Sequence, residues 1–183
     1  MKTKLFIGIA VLAAALSVPA FGQLTTGGVD NSPKVGDAAP EFAIPAAQRG
    51  APPSNLKDFQ GKKKVLVMFF PGAFTPGCTT EFTEAGKYQD QMNAMNIEMI
   101  GISADLPGAQ NKFKETVGAK NTFVSDRSLA IAQKYDAVAA NGNSAKRYYF
   151  LVDESGKVIW KSTNNSLITT DKLLGDLGQI AKK

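Results

Sequence analysis

The stretch of sequence that decides the fold contains the chain's only cysteine and is Phe70-Pro71-Gly72-Ala73-Phe74-Thr75-Pro76-Gly77-Cys78-Thr79-Thr80-Glu81. It follows a continuous apolar run, Val65 to Phe70, which is typical of a strand buried on both faces. Beyond Cys78, apolar residues recur at spacings that place them along one side of a helix, namely Phe82, Ala85, Met92 and Met95. The sequence therefore predicts a buried strand, a loop and a helix that begins near Cys78.

The rest of the chain continues this alternation of strands and helices. We expect an edge hairpin between Lys34 and Ala46, further strands at 97–102, 122–124, 148–152 and 157–161, and helices at 109–117, 129–135 and 173–180. We find no internal repeat and no second domain. The predicted fold class is α/β, with a mixed central sheet flanked by helices on both faces and an N-terminal β-hairpin.

Composition excludes several classes of function. The 183 residues, 44% hydrophobic and 20% charged, fit one folded domain. The sequence has no histidine, which removes Ser/His and Cys/His nucleophile pairs and with them most hydrolase chemistry. Its single cysteine forbids an intramolecular disulfide and a cysteine-rich zinc site. The excess of basic over acidic residues, 21 against 16, is scattered, so we expect no nucleic-acid partner.

The amino-terminal residues have the pattern of a targeting segment. Lys2 and Lys4 precede an almost wholly apolar run from Leu5 to Val18, and small residues follow at Ala20-Phe21-Gly22. The apolar run is shorter than the roughly 20 residues that span a bilayer, so we expect no stable membrane anchor. We interpret residues 1–22 as a cleaved signal peptide, 23–33 as a flexible tether and 34–183 as the folded domain. The expected localisation is export, either periplasmic or secreted.

Cys78 is a candidate nucleophile because of its position. A thiol in the first turn of a helix faces unpaired backbone N–H groups and the positive end of the helix dipole, which both favour the thiolate. Thr75 is expected to place its hydroxyl against the sulfur, and Pro71 to cover the site without offering an N–H donor. The alternative is that Cys78 is a buried apolar filler, as many lone cysteines are.

These residues resemble a known family. Pro71, Thr75 and Cys78 match the Pro-x-x-x-Thr-x-x-Cys motif of the peroxiredoxins, and further similarity extends from Val35-Gly36-Asp37 to Gly156-Lys157. The segment from Phe74 to Glu81 looks most like the Q type, although the loop is also similar to the five-type branch. The resemblance implies a thioredoxin-like fold that reduces hydrogen peroxide or alkyl hydroperoxides with Cys78 as the peroxidatic cysteine. It implies no metal and no organic cofactor.

The resemblance also points to an arginine. Arg147 stands where peroxiredoxins carry an arginine just before a strand, and a guanidinium would stabilise the thiolate and hold the peroxide oxygens. Arg127 is the competing candidate for this role. Glu81 is a candidate partner of the arginine, or an ordinary acidic residue in a first helical turn. We interpret Tyr148 and Tyr149 as packing residues.

One departure from the family pattern concerns the regeneration of the cysteine. Q-type members commonly carry a resolving cysteine five residues after the peroxidatic one, and this chain has Thr83 there. A sulfenic acid at Cys78 must then be reduced by an external thiol, either a small thiol or a thioredoxin- or glutaredoxin-like protein. We expect a monomer or a homodimer. Two alternatives to a peroxidase stay open: a redox sensor that uses Cys78 stoichiometrically, and a thioredoxin-like binding or holdase module without turnover.

Overall fold

The computed structural model describes residues 29–46 and 54–180. The helices and strands in chain order are β1 (Ala43–Ile44), β2 (Ser54–Asn55), a 3-10 turn (Leu56–Phe59), β3 (Lys64–Phe69), α1 (Pro76–Lys87), α2 (Gln89–Ala94), β4 (Ile97–Ser103), α3 (Pro107–Val117), β5 (Thr122–Ser125), α4 (Ala130–Lys134), β6 (Tyr149–Val152), β7 (Val158–Ser162) and α5 (Thr170–Ile180). The expected signal peptide, residues 1–22, lies outside the described residues. None of the helices in the described ranges is long and apolar enough to cross a membrane.

The main sheet is mixed and has β3 at its centre. Its strand order is β5-β4-β3-β6-β7, with β3, β4 and β5 parallel and β6 and β7 antiparallel to their neighbours. Successive residues of β3 point to opposite faces, so Val65 and Val67 enter one hydrophobic core while Leu66 and Met68 enter the other. Both cores are closed to water at β3, which confirms the prediction of a strand buried on two sides.

Helices cover both faces of this sheet, as the α/β prediction requires. One core receives side chains from α1, α2, α3 and α5, among them Phe82, Met92, Phe113 and Leu177. The other core is closed by α4, the 3-10 turn and the N-terminal hairpin, through side chains such as Ala132 and Leu56. The predicted helix beyond Cys78 is divided at Tyr88 into α1 and α2. Gly86 precedes the break, and glycine is a weak helix former.

The N-terminal hairpin is present, but its second strand lies outside the segment expected to contain it. β1 falls within Lys34–Ala46, whereas its antiparallel partner β2 is Ser54–Asn55. Of the stretch expected to be a flexible tether, residues 29–33 are described. Asp30 in that stretch accepts hydrogen bonds from Lys161 Nζ at 2.9 Å and Thr163 Oγ1 at 3.1 Å. This segment therefore lies along β7.

The topology brings three segments together at one end of the sheet. The Phe70–Thr75 loop leaves the carboxyl end of β3, the parallel neighbour β4 ends beside it, and the antiparallel neighbour β6 begins there. The Phe69 N–H donates to the carbonyl of Tyr148 at 2.8 Å, which places Arg147 next to the start of that loop. Side chains from α1, from the loop and from the entry to β6 can therefore share one site.

Candidate active site

Cys78 lies in the first turn of α1. Thr75 is the N-cap residue in extended conformation, with φ −71° and ψ 145°, and Pro76 opens the helix. Proline suits this position, because its fixed φ fits a helix and its missing N–H would have no partner there. The Cys78 side chain has no exposed surface and is a free thiol. The first turn carries no acidic side chain to compete for the positive end of the helix dipole.

A guanidinium lies directly against this sulfur. Arg147 Nη2 donates a hydrogen bond to Cys78 Sγ, and the two atoms are 3.0 Å apart. Gly77 leaves room for the contact, because a Cβ on that residue would stand 3.3 Å from Arg147 Nη2. The backbone N–H of Arg147 donates to Asn165 Oδ1 at 2.7 Å, so a polar side chain beyond β7 holds the arginine's own backbone.

Glu81 connects the arginine to a second strand residue. Its Oε2 accepts a hydrogen bond from Arg147 Nε at 3.1 Å, and its Oε1 accepts a short hydrogen bond from the Tyr149 hydroxyl. The three residues joined by these hydrogen bonds are buried. The exposed fraction is 8% for Glu81, 8% for Arg147 and 1% for Tyr149. We refer to the linked groups Tyr149, Glu81, Arg147 and Cys78 as the Tyr–Glu–Arg–Cys chain.

Burial and charge set the ionisation of these groups. Burial raises the pKa of Glu81 to about 7, against the lowering effects of the Tyr149 hydrogen bond and the charge of Arg147. Burial and the neighbouring Glu81 carboxylate raise the pKa of Tyr149 above its ordinary range. Burial lowers the pKa of Arg147, but Glu81 and Cys78 outweigh that effect and raise it. The arginine therefore stays charged and Tyr149 stays a hydroxyl donor.

The loop before the helix is held in an unusual conformation. Phe74 has a positive φ of 62°, which a residue with a side chain rarely adopts. The preceding N–H, that of Ala73, donates to Asp105 Oδ2 at 2.7 Å, and the same carboxylate oxygen accepts the Ser103 hydroxyl at 2.7 Å. The end of β4 thus anchors the loop. Pro71, the second residue of this loop, is half-buried.

The sequence predicts that the Thr75 hydroxyl lies against the sulfur, but this hydroxyl donates no hydrogen bond to Cys78 Sγ. It donates instead to the carbonyl of Gly72 at 3.0 Å. The physical reason is the tight loop, which brings that carbonyl within reach of a side chain three residues later. Because the hydroxyl proton is used in this bond, the Thr75 oxygen offers a ligand an acceptor.

Of the two candidate arginines, one lies at the thiol and the other lies on the surface. Arg127 is exposed, and its Nη1 donates to the carbonyl of Ala104 at 3.0 Å. Arg147 is the one that contacts Cys78. Thr83 stands where Q-type peroxiredoxins commonly carry a resolving cysteine, and it is an exposed residue of α1.

Sequence reasoning missed Tyr149, Asn165 and Asp105. The sequence predicts a packing role for Tyr149, and its ring does pack in the core on the side of α1. The period of two along a strand places residues 147 and 149 on the same face, so the pattern contained a signal for its proximity to Arg147. Asn165 and Asp105 act through single backbone contacts between distant segments, for which the local sequence holds no signal.

Comparison with known proteins shows the family to which the chain belongs. A profile of the AhpC/TSA family matches residues 35–161, which is most of the chain. The chain therefore belongs to the AhpC/TSA family, the peroxiredoxin class of thiol peroxidases. Among its curated relatives, the peroxiredoxin Bcp of Escherichia coli K12 is 32% identical over 134 residues, covering 70% of this chain and 84% of the relative. The chloroplastic 2-Cys peroxiredoxin BAS1 of Hordeum vulgare is 31% identical over 143 residues, covering 74% and 68%.

Solved structures confirm the thioredoxin-like fold. The reduced 2-Cys peroxiredoxin of Plasmodium vivax superposes with a TM-score of 0.72 at 28% identity, covering 81% of this chain and 82% of that one. The peroxidoxin BcpB of Mycobacterium tuberculosis gives a TM-score of 0.70 at 26% identity, covering 81% and 98%. Within residues 29–46 and 54–180, no group of three histidine, cysteine or acidic side chains is arranged to hold a metal ion.

The buried Glu81 carboxyl predicts a pH-dependent stability. The pKa of Glu81 is about 7 in the folded protein and near 4.5 in the unfolded chain, so between these values only the folded state keeps the proton. The stabilisation is complete below pH 4.5 and is lost as the pH rises through about 7. At about 1.4 kcal/mol for each unit of pKa, the total loss is about 3 kcal/mol.

Chemical unfolding across this pH range measures the effect. The free energy of unfolding of the wild type, minus that of Glu81→Gln, should fall as the pH rises, since glutamine does not titrate. The chain has no histidine, so no imidazole titrates in this window. A difference that stays constant with pH would show that Glu81 is ionised throughout.

Proposed function

We propose that this peroxiredoxin is a one-cysteine thiol peroxidase, in which Cys78 reduces hydrogen peroxide or an alkyl hydroperoxide. The observation that carries the proposal is the contact of 3.0 Å between Arg147 Nη2 and Cys78 Sγ, in a buried site at a helix N-terminus. A permanent positive charge beside the sulfur favours the thiolate, which is the nucleophilic form. A residue that only fills the core does not need such a partner.

The first step is a displacement at oxygen. The thiolate attacks one oxygen of the peroxide, an S–O bond forms, and the O–O bond breaks. Cys78 is oxidised to sulfenic acid, and the leaving oxygen takes a proton from water to give water or an alcohol. The Arg147 guanidinium stabilises the negative charge as it moves from sulfur to the leaving oxygen. The Thr75 hydroxyl donates its hydrogen bond to the Gly72 carbonyl, so its oxygen is left to accept a hydrogen bond from the peroxide O–H.

The second step requires a thiol from outside the chain. The sequence holds one cysteine, so no resolving cysteine exists within the molecule. An external thiol attacks the sulfenic acid and releases water, which leaves a mixed disulfide on Cys78. A second thiol group attacks that disulfide, frees Cys78 and leaves as the oxidised donor. The donor is a small thiol or a thioredoxin- or glutaredoxin-like protein.

Similarity to the peroxiredoxin Bcp favours assignment of this chain to the Q type rather than to the five-type branch.

The amino-terminal sequence supports a compartment outside the cytoplasm for this chemistry. Lys2, Lys4 and the apolar run from Leu5 to Val18 support export through a cleaved signal peptide, with the mature chain beginning at Gln23. The enzyme would then act in the periplasm or outside the cell, as a monomer or a homodimer without a stable membrane anchor. Its thiol donor must be present in that compartment, where cytosolic reducing systems do not reach it directly.

A redox sensor or a binding module is the second candidate, and the missing resolving cysteine is the observation that favours it. The three functions differ in the amount of peroxide that each consumes. A sensor consumes one equivalent of peroxide for each Cys78, a binding module consumes none, and an enzyme supplied with thiol continues to consume peroxide.

The turnover assay follows the loss of peroxide in the presence of a small dithiol. We expect the wild type to consume many equivalents, and Cys78→Ser to consume none while keeping its circular dichroism spectrum. Serine has nearly the same volume but is a far weaker nucleophile at neutral pH. Loss of a single equivalent by the wild type would support the sensor instead, and unaltered turnover by Cys78→Ser would disprove the role of the cysteine.

The arginines provide a matched pair of variants. Arg147→Lys should lower the second-order rate constant for peroxide by about a hundredfold, because a compact ammonium cannot contact sulfur and peroxide oxygen with fixed donors at the same time. Arg127→Lys, on the exposed surface, should leave the rate constant nearly unchanged. Stopped-flow kinetics with both folded variants measures the difference. A larger loss in Arg127→Lys would contradict the assignment of the site.

A further inference from the structure

Tyr149 has a buried hydroxyl whose hydrogen bond leads into the site. The side chain lies in β6, two residues after Arg147, and 1% of it is exposed. Its hydroxyl donates to Oε1 of Glu81. The peroxidase mechanism proposed above does not use this hydroxyl, and core packing alone does not require it, because a phenylalanine ring fills nearly the same volume.

The carboxylate of Glu81 divides its two oxygens between Tyr149 and Arg147. Oε1 accepts the phenol, and Oε2 accepts Arg147 Nε at 3.1 Å, while another nitrogen of the same guanidinium donates to the sulfur at 3.0 Å. Carboxylate and guanidinium are both planar groups, so the hydrogen bond between them restricts how the guanidinium can turn. A phenol held rigidly in the core therefore sets the direction from which the guanidinium approaches the sulfur.

We propose that Tyr149 is a positioning residue for peroxide reduction, whose hydroxyl orients Glu81 and thereby holds the Arg147 guanidinium against Cys78. The proposal rests on the proposed function, since it concerns the rate of that reaction. The Tyr149 hydroxyl bonds to Glu81 and not to the sulfur, so it acts through Glu81. A displacement of about 1 Å in such a site is enough to cost about a hundredfold in rate.

The hydroxyl also affects the protonation of Glu81. A hydrogen bond donated to a carboxylate favours its ionised form, so removing the Tyr149 hydroxyl should raise the pKa of Glu81 above its value of about 7. The titratable groups around this carboxyl are Cys78, Glu84 and Tyr88 from α1 and the residue that follows it, Arg147 and Tyr149 from the β6 segment, and Asp171 from α5. The pH profile of the reaction is therefore a second, independent measure of the hydroxyl's role.

The experiment compares Tyr149→Phe with Tyr135→Phe. Tyr135 is an equally buried tyrosine on the opposite face of the sheet, and its hydroxyl donates to the carbonyl of Pro40 at 2.8 Å. Both variants lose one buried hydroxyl hydrogen bond, so both should lose some stability. Only Tyr149→Phe should lower the second-order rate constant for peroxide at pH 7, by about tenfold, and shift the inflection of the rate profile to higher pH.

A double-mutant cycle tests whether Tyr149 acts through Glu81. In a Glu81→Gln background, the single amide oxygen cannot serve both partners, so adding Tyr149→Phe should lower the rate constant less than twofold further, a clear departure from additivity. The proposal fails if Tyr149→Phe keeps the wild-type rate and profile, if Tyr135→Phe is slowed equally, or if the two effects multiply. A wild type that consumes no peroxide at all would instead refute the proposed function.

Discussion

The site depends on a contact between a buried cation and a buried sulfur. Removing a guanidinium from water costs several kcal/mol, and the fold recovers this cost only if the charge finds well-placed partners. Arg147 finds two, because Cys78 Sγ lies 3.0 Å from Nη2 and Glu81 Oε2 lies 3.1 Å from Nε. One side of the guanidinium is thus paired with a structural carboxylate, while the other side is left for the sulfur and a substrate.

The sheet order explains how these groups meet. β3 lies between β4 and β6, so the loop that follows β3 is bordered by the end of one neighbour and the start of the other. Asp105, two residues after β4, accepts a hydrogen bond from the backbone N–H of Ala73. Arg147 stands two residues before β6, and Tyr149 is the first residue of that strand. α1 then begins with Cys78 in its first turn. The Cys78 thiol therefore lies where these three segments meet.

The sequence allowed much of this arrangement to be predicted, because the strongest patterns are local. The apolar run at β3 and the loop leading to Cys78 are continuous in sequence, and Arg147 could be proposed from its resemblance to an arginine of a known family. The direction of the Thr75 hydroxyl depends on which acceptor the folded loop brings near it. The roles of Tyr149 and Asn165 depend on distant segments, and the partner strand of β1 begins beyond the segment where local pattern placed it.

The most direct test of the account is the intact mass of the protein after one equivalent of peroxide, followed by addition of a thiol. We expect Cys78 to gain one oxygen atom, which a reagent for sulfenic acids traps there. Added thiol should convert this species to a mixed disulfide and then restore the free cysteine. Oxygen found only on methionine side chains, with Cys78 still reduced, would contradict the account.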